Sequence, residues 1–184
     1  MSSIVKLHPH QMNGDYYIHL KRNLEKKVIG KCNNDGMFTE IIKLTKYDEN
    51  IINPENFSGD AEFKVKFIAT LCVPIEGTAT ILKIDKVLYE YNDFLIYASN
   101  GYITCVMPLS ANKNKIHMDK GQIILTESGK ALTRGDYIKV SIINKRVEAN
   151  DKKIGIIGNL LDVASEEEIR TLSFKPVKNA SNEF

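Results

Sequence analysis

The sequence predicts an α+β chain, with a small α/β unit at the N-terminus and a five-stranded β-barrel behind it. Three patterns predict this. Residues 13–29 place Tyr17, Leu20, Leu24 and Val28 on one stripe at helical spacing. Residues 61–72 alternate with a period of two, Ala61, Phe63, Val65, Phe67, Ala69 and Leu71 against Glu62, Lys64, Lys66, Ile68, Thr70 and Cys72. From Thr78 onward, short strand patterns are broken by turn signals about every ten residues, the rhythm of a small barrel.

In chain order, Ile4 to Leu7 predicts a short strand closed by His8-Pro9-His10. Asn13 or Asp15 caps the helix, and Gly30 ends it in the left-handed conformation. Asn33-Asn34-Asp35-Gly36 turns the chain into a strand over 37–44, and a polar loop is expected over 46–59. The alternating strand stops at Pro74 and Gly77, which mark a junction. Barrel strands are expected near 79–88, 94–98, 102–107, 137–143 and 154–160, with Asn100-Gly101 as a hairpin turn. A polar loop with one short strand around Ile123 to Leu125 fills 110–134. Five strands with an elaborated connection before the fourth are the pattern of an OB fold. Ser165-Glu166-Glu167-Glu168 starts a short helix, and 175–184 is expected to be a mobile tail.

Composition narrows the function classes. Hydrophobic residues make up 43% and charged residues 26%, the balance of a globular protein, and no apolar run approaches the roughly 18 residues of a membrane span. The N-terminus lacks the apolar core of a signal peptide, so an intracellular location is expected. Cys32, Cys72 and Cys105 are odd in number and widely spaced, which is no disulfide framework; Cys72 and Cys105 read as small core residues. Residues 1–78 carry 10 basic and 10 acidic side chains, whereas 79–165 carry 12 and 9, so the small positive excess lies in the barrel half. That is far from the footprint of a strongly basic nucleic-acid binder. No Walker or Rossmann loop occurs, the histidines lack a nucleophile signature, and His8-Pro9-His10 lacks further ligands at zinc spacing. Neither a catalytic centre nor a cofactor is expected.

Several stretches carry a family resemblance. They are Leu7-His8-Pro9, Leu24-Glu25-x-x-Val28-x-Gly30-x-Cys32, the run from Gly59 to Ala69 with Pro74-Ile75-Glu76-Gly77, Met107-Pro108, Gly135-Asp136-Tyr137-Ile138-Lys139-Val140, and Ile154-Gly155-Ile156-Ile157-Gly158. In this order, over about 4–162, the chain resembles the larger stalk protein of archaeal and eukaryotic RNA polymerases. In eukaryotes that protein is the seventh subunit of RNA polymerase II, and archaea carry its counterpart. Thr78 departs from the acidic residue usual after the junction glycine. Asn92-Asp93-Phe94 departs from the glycine usual before that aromatic, and the sequence past Ala164 extends beyond the usual end.

The resemblance implies a truncated RNP-like docking domain over 1–78, an OB-fold domain over 79–164 and an extension over 165–184. It implies a non-catalytic stalk subunit that seats on the polymerase core near RNA exit, pairs with a smaller stalk subunit and touches nascent single-stranded RNA. The docking tip would be Gly59, Asp60, Ala61, Glu62 and Phe63. Phe94, Tyr97 and Tyr102 would offer stacking platforms, and Lys83, Lys86, Lys139, Lys145 and Arg146 phosphate contacts. The competing readings are core roles for the aromatics, solvated roles for the lysines, and a free RNA-binding OB protein of translation or RNA decay. The Asn, Lys and Ile content fits an AT-rich genome, either a large DNA virus or a divergent eukaryote. Location follows from that choice: virion and cytoplasmic factory, or nucleus.

Overall fold

A helix backs the first sheet because residues 16–28 contain no glycine or proline and present Leu20 and Leu24, both fully buried, to one side. The computed structural model describes residues 1–51, 59–119 and 122–171. Strand β1 is Ser2–Leu7, helix α1 Tyr16–Val28, β2 Met37–Ile51 and β3 Ala61–Cys72. The sheet order is β1-β3-β2, all antiparallel, so β3 is central. Its buried residues Ala61, Val65 and Phe67 fall on the expected face, while Lys64, Lys66 and Ile68 are exposed. Val5, Leu7, Leu20, Leu24, Phe38, Ile41, Leu44, Val65 and Phe67 form one apolar cluster under α1.

The helix is shorter than expected. It starts at Tyr16, and its N-cap Asp15 makes no side-chain capping bond; Asn13 instead accepts the Asp15 N–H at 3.1 Å. Tyr17 is 40% exposed, so the buried stripe is narrower than the spacing suggests. Gly30 has a φ of +74° and ends the helix as expected. The loop expected over 46–59 is corrected at its start: β2 runs on to Ile51 because the long β3 offers it partners, Tyr47 opposite Val65 and Asp48 opposite Lys64. Four register irregularities absorb its polar composition. The rest of that expected loop, up to residue 58, lies outside the described residues.

The second half closes on itself. Strands β4 (Ala79–Glu90), β5 (Asp93–Ser99), β6 (Ile103–Pro108), β10 (Tyr137–Arg146) and β11 (Ile154–Val163) form a closed barrel in the order β4-β5-β6-β11-β10. All neighbours are antiparallel except β6 and β11, which run parallel from Ile103 opposite Ile154 to Val106 opposite Ile157. Leu82, Ile96, Met107, Ile138, Val140, Ile154 and Leu160 fill the interior. The segment between β6 and β10 is more ordered than the expected loop with one strand. It forms a second antiparallel sheet of β7 (Ile116–Asp119), β8 (Gln122–Leu125) and β9 (Ala131–Leu132), which buries Ile116, Ile123 and Leu132 against the barrel core. The expected helix α2 spans Glu166–Thr171, with Ser165 and Glu168 exchanging hydrogen bonds as a capping box. The tail expected over 175–184 lies outside the described residues.

The two cores touch. Cys32 and Met37 belong to the barrel cluster, with Cys72 packed against it. Cys32 donates its N–H to Asp151 O and accepts from Asn150 N, both at 2.8 Å. Gly77, at φ +80°, donates to Ile142 O at 2.8 Å. Cys105 is a core residue as expected, its thiol pushed up to about 12 by burial. Cys72 is only half-buried, and Cys32 takes the deeper position.

Candidate functional site

The expected docking tip is the entry to β3. Gly59 has a φ of +69°, a conformation few side chains tolerate, and a Cβ there would lie 3.4 Å from the Pro9 ring. Asp60 is buried, at 8% exposure, and its Oδ1 lies 2.5 Å from His8 Nδ1. Ala61 pairs with Leu7 at the last rung of the β1–β3 ladder. Glu62, on the next rung, meets Lys6 at 3.1 Å. Phe63 lines a cavity of about 230 Å³ with Leu7, Met12, Asn13, Tyr16 and Tyr47. The five residues therefore form one continuous edge with the His8-Pro9 turn.

The eight expected RNA contacts do not form one patch. Lys86 and Tyr97 face each other across β4 and β5, with the ammonium 4.9 Å from the ring centroid. Lys83 pairs with Tyr137 on β10 and stands 5.9 Å from its ring. These four side chains lie on the outward face of the barrel. The Tyr97 hydroxyl donates to Glu90 at 2.9 Å, and this bond to a carboxylate raises the phenol pKa.

The remaining residues are engaged in other contacts. Phe94 opposes Tyr89 with ring centroids 4.9 Å apart, at the far end of β5 from Tyr102. Tyr102 follows the β5–β6 turn, where Asn100 Oδ1 accepts its N–H, and it packs partly on the barrel core. Lys139 is tied to Glu168 of α2 at 2.8 Å, which raises the lysine pKa and lowers that of the carboxyl. Lys145 donates to Pro74 O at 3.0 Å, and Arg146 pairs with Glu148 at 2.6 Å.

Two residues escape sequence reasoning. Tyr137 belongs with Lys83, and its signal lies in the Gly135-Asp136-Tyr137 run, whose alternation puts Tyr137 on the outward side with Lys139. His8 reads in the sequence as the close of the first strand and as part of a family stretch, and its place beyond the β1 ladder makes it Asp60's neighbour. Among the described residues no group of three His, Cys, Asp or Glu is arranged to hold a metal ion. No described helix is long and apolar enough to cross a membrane. In the turn between β4 and β5, where the family's usual glycine is missing, the left-handed conformation falls on Tyr91 (φ 52°) and Asn92 (φ 64°).

No family model matches the chain. A protein of Acanthamoeba polyphaga mimivirus assigned as a DNA-directed RNA polymerase subunit is 34% identical over 168 residues, covering 91% of this chain and 82% of the mimivirus protein. The chain belongs to this RNA polymerase subunit family. The 168 aligned residues exceed what the barrel alone supplies, so the likeness of the polymerase-subunit chain to its relative includes the helix-backed sheet as well.

Proposed function

We propose that this chain is a non-catalytic stalk subunit of a DNA-directed RNA polymerase of a large DNA virus. In this reading residues 1–78 are a truncated RNP-like docking domain, 79–164 an OB fold, and 165–184 an extension. The observation that carries the reading is the 34% identity to a polymerase subunit along 91% of the chain. The barrel order β4-β5-β6-β11-β10, with its parallel pair, supports the OB assignment, because this is the strand order of that fold.

Docking on the core near RNA exit runs through Gly59, Asp60, Ala61, Glu62 and Phe63, at the entry to the central strand β3. A smaller stalk protein completes the pair, and the complex works in the virion and cytoplasmic factory. Nascent RNA meets the outward barrel face at Lys83, Lys86 and Tyr97, where Tyr137 adds a further ring. Phe94 and Tyr102 lie toward opposite ends of β5, and Lys139, Lys145 and Arg146 are engaged by Glu168, Pro74 and Glu148, so these five support the face less well.

The test is native mass spectrometry of the complex recovered on the tagged full-length chain from cells in which its polymerase is made. The largest polymerase subunits and one small partner should co-purify in fixed ratio. Recovery of neither, together with salt-sensitive binding of single-stranded RNA by the chain alone, would instead identify a free RNA-binding protein.

A further inference from the structure

We infer that His8 is a positioning residue for the docking edge, acting through Asp60; this rests on the docking reading above. Asp60 and Asn112 are buried polar residues among apolar neighbours, and Asn112 is occupied in joining β6 to β11. A buried carboxylate needs donors, or it forfeits its hydration without return. His8 supplies one at 2.5 Å. A carboxylate oxygen only accepts, so this contact draws its hydrogen from Nδ1.

His8 is held through its backbone by the turn that follows and through its ring by one neighbour besides Asp60. His8 accepts and donates in a capping box with Gln11 at the start of the short 3-10 turn Pro9–Gln11, its N–H reaching Gln11 Oε1 at 3.2 Å. Gln11 Oε1 is in turn held by Asn23 of α1 at 3.0 Å. The His10 ring stacks on His8 with centroids 5.7 Å apart and planes 12° apart. The contact bridges the first residues beyond the Leu7–Ala61 rung, past the end of the ladder, beside Gly59 in its left-handed conformation. In the charged pair on the adjoining rung, Lys6–Glu62, both side chains are exposed, whereas the Asp60 carboxylate is buried and its His8 partner is reached from the surface. His8 therefore sets the direction in which Gly59 and Asp60 leave the sheet, and with it the shape of the edge offered to the polymerase core.

The experiment measures binding of the full-length chain to polymerase core prepared without it. His8→Phe keeps a flat ring and removes the donor; His8→Asn keeps a donor near the position of Nδ1. His8→Phe should weaken binding by about tenfold, the scale of a hydrogen bond to a charged group, while His8→Asn stays within about threefold of wild type. Hydrogen exchange at the Asp60 and Ala61 amides should quicken in His8→Phe alone, locally and without a large fall in the melting temperature of the free chain. Should His8→Phe lower that temperature, Asp60→Asn, which keeps shape and drops charge, should still weaken binding. Wild-type binding retained in His8→Phe overturns the inference and leaves docking intact, as does His8→Asn binding as poorly as His8→Phe. Failure of the wild-type chain to bind core overturns the docking reading and this inference with it.

Discussion

Gly158 is where the barrel has no room for a side chain. It lies buried on β11 opposite Ile142, and a Cβ there would stand 2.3 Å from Val140 Cγ1, 2.8 Å from Ser141 O and 3.3 Å from Cys105 Sγ. The Val140 methyl can rotate away at some cost, but Ser141 O is backbone in the β10–β11 ladder and Cys105 is fully buried. Gly158→Ala therefore has to move a strand. Overpacking of this kind costs about 1–3 kcal/mol. For a chain of this size each kcal/mol lowers the melting temperature by about 2–4 °C, so a fall of about 2–12 °C is expected. The chain has no tryptophan, so the transition is best followed by far-ultraviolet circular dichroism and calorimetry. Gly155→Ala is the control, since its added methyl would meet only Arg146 atoms at 3.7 and 3.8 Å. Adding Val140→Ala to Gly158→Ala should recover part of the loss but not all, because the carbonyl clash persists. If Gly158→Ala melts with wild type, the tight approach of β10 and β11 does not exist as described.

Two further outcomes test the surroundings of the barrel. Asn112 donates to Pro108 O and accepts from Leu160 N, each at 2.8 Å, so Asn112→Ala orphans two groups and should cost about 2–4 kcal/mol in urea unfolding, with unchanged m-value. Glu168 has its carboxyl pKa lowered by Lys139 and by the Ser165 N–H, so its contribution to holding α2 is complete above the ordinary carboxylate value and fades as pH falls through the lowered one. Protection factors of the α2 amides, taken against the intrinsic exchange rate at each pH, should fall over that acidic window in wild type and should be lower at neutral pH and insensitive to that window in Glu168→Gln.

Much of this architecture is legible because buried faces leave periodic traces. Ala61 to Cys72 can be read residue by residue, since a central strand with one wet face must alternate. The barrel strands emerge within a few residues because each is bounded by turn chemistry, as at Asn100, whose side chain caps the turn it predicts. The end of β2 is hidden, because Lys46 and Asp48 look like loop residues and only pairing to β3 makes them strand. The β7-β8-β9 sheet is hidden for a similar reason: its short strands bury Ile116, Ile123 and Leu132 against a core that sequence alone does not locate. Candidate site residues are least legible. Lys139 and Lys145 look like free cations in the sequence, and their partners, Glu168 and Pro74, are distant in the chain. The outward pairing of Lys83 with Tyr137 has the same origin.

Closing the barrel by a parallel seam has a cost in time. The seam joins Ile103 to Ile154, and the other seal joins β4 to β10, so both wait for the last third of the chain to leave the ribosome. Until then, Cys32 and Met37 have no barrel core to enter, and the hairpins β4–β5 and β5–β6 stand with open edges. A half-made chain is thus sticky at both ends of its future contact, and its yield in cells will depend on how quickly translation delivers β11.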